Sequence, residues 1–350
     1  MEIVLLSDES EAELELVDEA GLNIDDKSKR PKQSPSDFTN IHIPTLQLSN
    51  PPAPRIYDFG CKWDPVDYSC SYDCIFMAFA WMYFHATKHW RETWTGKSRA
   101  SKTLSHHLSI ILQSIEGPAG DQLAARTPVL FSRGRDAFRD TLSEENPTTF
   151  KRHGPVNACL TDILTSLSHG ETSSKYYSFI SSCGGPGCNI RLITPSGAPY
   201  MLTRKTWTSI THSENPPHQE SLQEWVVRWL DSKVSSLPNS CAGCLKNCTQ
   251  THSFLWPPWI WFEVFVEQPH VILPSFQLSF SSHNYRLAAV IYGNGCHFVA
   301  RLSTPLGTWW HYDGQVNSGR PTTVSITCGG DLVACGERYT MTALVYCLSC

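Results

Sequence analysis

The stretch Trp63–Tyr83, WDPVDYSCSYDCIFMAFAWMY, constrains this chain more than any other. Asp64, Pro65 and Asp67 make a polar turn that cannot continue a helix. From Ile75 to Phe84 the residues are apolar on nearly every side, and a run of this length and character is a helix sunk in a protein core. Cys70 falls in the first turn of that helix. Unpaired N–H groups and the positive end of the helix macrodipole favour a thiolate there, so a cysteine that would otherwise be a small core residue acquires the electrostatics of a nucleophile. Cys74, four residues on, lies one turn deeper on the same face and reads as packing.

A nucleophile needs a base and something to orient it, and both are offered near the C-terminus. YRLAAVIYGNGCHFVARLSTPLGTWWHYD, residues 285–313, predicts three strands: Tyr285–Tyr292, His297–Leu302 and Trp309–Tyr312. Gly293-Asn294-Gly295 frees the backbone just before His297, and Asp313 closes the third strand. A hairpin of this length sets His297 beside Asp313, where a carboxylate can hold an imidazole in the tautomer that accepts a thiol proton. Singly, a core histidine and a turn carboxylate would suffice; with Cys70 they form a Cys-His-Asp set.

These residues also carry a family resemblance. CSYDCIFMA resembles the cysteine box of the ubiquitin-specific peptidases, with Cys70, Ile75, Phe76 and Ala78 at matching positions. YRLAAVIYGNGCHFVARL, with WWHYDG after it, resembles their histidine box, and TALVYCLS (Thr342–Ser349) their closing strand. The resemblance spans about residues 57–350. Within it, Cys70, Asp73, Cys74 and Ile75 look closer to the divergent branch whose vertebrate member cleaves SUMO. The resemblance implies an α+β, papain-like hand of helical thumb, β fingers and β palm. It also implies hydrolysis of the isopeptide bond after the terminal diglycine of SUMO or ubiquitin. Pro65 departs from the family, which usually has an oxyanion-hole Asn there, and proline offers neither an amide side chain nor an N–H. Losing one such donor typically costs about a hundredfold to a thousandfold in rate. A slow enzyme, or an adaptor that binds conjugates without cutting them, is the alternative.

Fourteen cysteines, with no signal peptide and no apolar run near 18 residues, predict a reducing, soluble setting in which thiols serve chemistry and metal. A net charge of −5 gives no reason to expect nucleic acid, and no membrane partner is expected; a monomer in nucleus or cytoplasm is. Cys241 and Cys244 form a Cys-x2-Cys half-site. Cys183 and Cys188, in CGGPGC, sit at a predicted hairpin tip. Two such pairs have the form of a four-thiolate structural zinc site, in which Cys248 or His252 could replace one ligand. The family's fingers, here about residues 175–255, carry a zinc ribbon at this point. Zinc plays no part in the expected catalysis.

Residues 1–55 are rich in Ser, Asp, Glu, Lys and Pro and predict a disordered tail ahead of a domain at 56–350. Within the tail, Ile3, Val4, Leu5 and Leu6 precede Ser7, Asp8, Glu9 and Ser10. A β-prone tetrad flanked by acids can add as a strand to another protein's sheet edge, and this one resembles a SUMO-interacting motif. Lys27-Ser28-Lys29-Arg30-Pro31-Lys32 is a short basic cluster that reads either as a nuclear-import signal or as a solvated charge run. Further helices are predicted around Leu104–Ile115, Arg135–Leu142, Cys159–Leu167 and Leu222–Leu230. The family resemblance also implies aromatics that hold the modifier's glycine tail near the cleft, with Trp309 as the candidate and hairpin packing as its plainer role.

Overall fold

A computed structural model describes residues 2–7, 12–17, 58–94, 98–116, 120–154, 158–168, 177–183, 191–195, 219–235, 240–241, 244, 247–254, 257–264, 271–280 and 283–349. Helix α1, Cys70–His85, is the centre of the molecule, and every residue from Cys70 to Tyr83 is buried. A helix apolar all round can be satisfied only by being enclosed. One side of α1 lies on the main sheet. The others meet α3 (Arg99–Glu116), α4 (Gly120–Glu145) and α5 (Leu160–Ser168). Phe79 stacks on Trp94, in the connection after the short helix α2 (Lys88–Thr93), with ring centroids 5.3 Å apart. In α3 the predicted stripe of Leu104, Leu108, Ile111 and Leu112 is the buried face, and in α5 Leu160, Ile163, Leu164 and Leu167 are buried. The helix expected at Arg135–Leu142 is the C-terminal part of the 26-residue α4, which continues through Pro128. Proline interrupts the sequence pattern there, but tertiary packing carries the helix across it.

Among the described residues the main sheet has eight strands. Its path runs β13 (Thr322–Val324), β12 (Trp309–Tyr312), β11 (Phe298–Ser303), β10 (His283–Gly293), β15 (Tyr339–Leu348) and β14 (Ala334–Cys335). β7 (Trp259–Glu263) pairs with β15, and β9 (Gln277–Phe280) with β10. β10 is buried from Leu287 to Gly293, as expected of a strand covered on both faces. The β10–β11–β12 meander follows the sequence reading within a residue or two. Its antiparallel register sets Gly293 opposite Phe298 and Ala300 opposite Tyr312. The starts of β11 and ends of β10 and β12 therefore gather at one sheet end, where α1 begins.

A second sheet holds β3 (Tyr177–Cys183), β4 (Arg191–Pro195) and β6 (Cys248–Phe254), with α6 (Leu222–Ser235) between β4 and β6 in the chain. Two N-terminal strands join this sheet: β1 (Glu2–Ser7) pairs antiparallel with β2 (Ala12–Val17) and parallel with β4. The tetrad Ile3–Leu6 thus lies in a strand added to the chain's own sheet. The basic cluster at 27–32 lies outside the described residues. A small parallel pair joins β5 (Gln219–Ser221) to β8 (Val271–Leu273). No helix among the described residues is long and apolar enough to cross a membrane.

Candidate active site

The turn before α1 is held by its own carboxylates. Asp64 Oδ1 accepts from the N–H groups of Val66 and Asp67, at 2.9 and 3.3 Å, an Asx arrangement that fixes the backbone around Pro65. Asp67 accepts from Gly154 N–H and pairs with His153 Nδ1, both at 3.0 Å. The Gly154 bond and then the His153 bond hold its carboxyl below the usual range. Both carboxylates are thus occupied, Asp64 by N–H groups of its own turn and Asp67 by His153 and Gly154. Tyr68, two residues before Cys70, has φ +44°, a left-handed conformation that costs a bulky residue on the order of 1–3 kcal/mol. Trp63 packs edge-on against its ring.

This segment is also stitched to the far end of the chain. Trp63 N–H donates to Gly314 O at 3.0 Å, and Tyr312 Oη donates to Cys61 O at 2.7 Å. Behind them two backbones cross so closely that a Cβ on Gly319, whose φ is +77°, would lie 2.0 Å from Cys61 O. Only glycine fits there.

His297 is delivered by a tight turn. Asn294 Oδ1 accepts from the N–H groups of Cys296 and His297, at 3.0 and 2.8 Å, and Gly295 between them takes φ +86°. His297 is 7% exposed. Its Nε2 lies 2.9 Å from Asp313 Oδ1, which also accepts Gln315 N–H at 2.9 Å. Nδ1 is buried and makes no bond to another nitrogen or oxygen; it is the ring nitrogen left for the Cys70 thiol, with which the imidazole interacts. Burial alone would lower the His297 pKa. The bonds to Asp313 and Cys70 and their negative charge outweigh it and raise the pKa to about 9. For Asp313 burial acts upward, but His297 and the Gln315 N–H together hold the carboxyl below its usual value. Tyr339 meets the His297 ring edge-on, centroids 6.2 Å apart. Burial pushes the Cys74 thiol well above its ordinary range, consistent with a packing role.

The structure therefore brings Cys70, His297 and Asp313 together. It places Trp309 elsewhere: that indole is buried and packs against Phe276, centroids 6.0 Å apart. Hairpin packing is its observed role. Asn294, already marked by the Gly-Asn-Gly turn, builds that turn with its side chain, and two residues given no role by the sequence reading, Ser69 and Arg135, also shape the site at the start of α1.

The sulfurs of Cys183, Cys241 and Cys244 lie within 4.8 Å of one another, the Cys183 and Cys244 atoms 3.3 Å apart. Three soft thiolate donors converging from a hairpin end and a Cys-x2-Cys turn fit a zinc ion. Cys188 lies outside the described residues. Cys248 sits directly opposite Cys183 in the β3–β6 register, and His252 lies farther along β6, opposite Phe179.

No protein-family model matches the chain, and no curated protein matches it. Among solved structures it is similar to the SAGA DUB module of Ubp8, Sgf11, Sus1 and Sgf73 bound to monoubiquitin. That match has a TM-score of 0.46 and 10% identity, over 87% of this chain and 72% of the other. The same module bound to ubiquitin aldehyde gives 0.44 and 11%, over 85% and 71%. The Saccharomyces cerevisiae Pan2 pseudoubiquitin hydrolase–RNA exonuclease module gives 0.43 and 12%, over 83% of this chain and 53% of that one. Likenesses this distant decide nothing about chemistry, which rests on the side chains at the end of the main sheet.

Proposed function

We propose that the chain is a thiol isopeptidase of the ubiquitin-specific-peptidase type, acting on the bond after the terminal glycine of a ubiquitin-family modifier. The observation that carries this reading is the His297 imidazole, bonded to Asp313 at 2.9 Å through one nitrogen and facing Cys70 at the start of α1 with the other. In this reading His297 draws off the Cys70 thiol proton. The Cys70 sulfur attacks the glycine carbonyl carbon, and the developing oxyanion is met by backbone N–H groups at the start of α1, Pro65 contributing no donor. His297 gives its proton to the leaving lysine amine, and a thioester remains. His297 then takes a proton from water as that water attacks the thioester. The modifier's carboxylate departs and Cys70 is regenerated. Asp313 orients the ring and stabilises its charge throughout.

In this reading the helices α3 to α5 form the thumb, the sheet bearing the cysteine cluster the fingers, and the eight-stranded sheet the palm. Zinc would be held by Cys183, Cys241 and Cys244, with Cys188 or Cys248 completing the set, and would brace the fingers without taking part in the reaction. SUMO is slightly favoured as the modifier by the form of the cysteine box and by the tetrad Ile3–Leu6, which would have to leave its pairing with β2 and β4 to add to a partner's sheet; ubiquitin is the next choice. The monomer works in the nucleus or cytoplasm. Pro65 supports a second reading, an adaptor with the same binding surface and little turnover.

Ubiquitin and SUMO carrying a thiol-reactive group at the C-terminus decide between these, each mixed with wild type and with Cys70→Ala and read as a mass shift. A Cys70-dependent adduct with one modifier establishes the nucleophile and selects the substrate. No adduct with either, from folded protein, leaves the adaptor.

A further inference from the structure

Beneath the first turn of α1 lies an ion pair sealed from water. Asp73 is 1% exposed and Arg135, reaching across from α4, 3%. Arg135 Nη1 donates to Asp73 Oδ1 at 2.7 Å, to Lys62 O at 2.8 Å and to Ser69 Oγ at 3.0 Å. Arg135 Nε donates to Asp136 Oδ1 at 2.8 Å. Ser69 Oγ donates to Asp73 Oδ2 at 2.7 Å and accepts Asp64 N–H at 2.8 Å. A buried charge pair rarely stabilises a fold more than an apolar pair of the same volume would. A network this fully bonded fixes directions, and three of its attachments bear on the nucleophile.

The first concerns the helix cap. Ser69 is the N-cap residue of α1, and a serine there normally accepts from an N–H of the first turn. Its hydroxyl makes no such bond, because Asp73, Arg135 and Asp64 N–H have taken it. The positive end of α1 is thus not capped by its own N-cap side chain where Cys70 sits. The second is the backbone of the Pro65 turn, gripped at Lys62 O and Asp64 N–H. The third is the loop that carries Asp313: Asp73 Oδ2 lies 3.2 Å from where a Cβ on Gly314 would stand, and Gly314 O accepts Trp63 N–H. One buried pair touches the nucleophile's helix, the turn before it and the loop that orients its base.

We infer that Asp73 and Arg135 are positioning residues for Cys70: they divert Ser69 from capping α1 and set the nucleophile's helix against the loop holding Asp313. This rests on Cys70 being the nucleophile.

The test is the pH dependence of Cys70 alkylation by iodoacetamide, from pH 5 to 9.5, read on the Cys70 peptide by mass spectrometry. It needs no knowledge of the modifier. The double variant Asp73→Leu/Arg135→Met removes both charges, so no unpaired ion is left buried. Its expected result is a thermal midpoint near wild type with Cys70 alkylation at pH 7 slowed by about tenfold or more and its pH profile moved upward. A folded double variant with the wild-type rate and profile overturns the proposal. Should the double variant not fold, Arg135→Lys decides. It keeps the buried charge pair but loses the planar fork through which Arg135 holds Asp73, Ser69 Oγ and Lys62 O together. Slowing by about threefold or more supports the proposal, and a wild-type rate and profile overturns it. If wild-type Cys70 itself alkylates like an ordinary exposed thiol, the reading of Cys70 as nucleophile fails instead.

Discussion

Asp313→Asn separates a catalytic carboxylate from a turn residue. Asn is nearly isosteric, and its carbonyl can still accept from His297 Nε2–H, so the tautomer that presents Nδ1 to Cys70 survives; what is lost is the negative charge. His297 has its pKa raised to about 9 from 6.5, by Asp313 and Cys70 acting against burial. A shift of that size corresponds to about 3 kcal/mol in favour of the imidazolium, at 1.36 kcal/mol per unit. If Asp313 supplies between a third and two thirds of it, the substitution costs about 1–2 kcal/mol, or roughly five- to thirtyfold in kcat/KM. Because His297 would lose its proton more readily, the alkaline limb of the profile should move to lower pH. The assay is hydrolysis of a fluorogenic C-terminal amide of whichever modifier labels Cys70, between pH 5 and 10. A kcat/KM within twofold of wild type across that range, with the alkaline limb in place, would refute the reasoning. Asp313 would then be a turn residue held by Gln315 N–H.

Four further outcomes are expected. His297 binds its proton more tightly folded than unfolded, so its contribution to stability is present below about pH 6.5 and is lost as pH rises through about 9. Urea titrations at pH 6 and 10 should show a loss that is up to about 3 kcal/mol smaller in His297→Gln than in wild type. Gly319→Ala puts a Cβ 2.0 Å from Cys61 O at φ +77°; a destabilisation of about 2–4 kcal/mol is expected by denaturant titration, and an unchanged midpoint would contradict the crossing. If zinc is held by Cys183, Cys241 and Cys244, purified protein should release about one equivalent to a colorimetric chelator. Cys241→Ser should then lower both metal content and thermal midpoint; full stability in the metal-free protein would dismiss the site. Leu5→Asp should abolish chemical-shift changes on titration with SUMO if the tetrad binds it. Unchanged shifts would assign Ile3–Leu6 to the chain's own sheet, where β1 pairs with β2 and β4.

The separation between what was legible in the chain and what was not follows the range of the forces involved. The sequence alone determined the elements at the site. An apolar run with no polar face must be an enclosed helix, a Pro/Asp turn must end before it, and the Gly-Asn-Gly turn with alternating strands must make a meander. Each is local, so the places of Cys70, His297 and Asp313 within their elements could be read directly. Pro128 shows the limit of local rules: it breaks the pattern of α4 but not the helix, because long-range packing outweighs one missing hydrogen bond. Only the tertiary structure decided that the helix start and the strand ends meet, since sheet register and the crossing at Gly319 depend on residues some 250 positions apart. It also decided that Trp309 packs against Phe276, that Asp67 is occupied by Gly154 N–H and His153, and that Arg135 lies beneath the start of α1. A buried arginine in the middle of a long helix has no sequence signature. Its partner lies 62 residues away, and the burial that makes the pair directional exists only once the chain has folded.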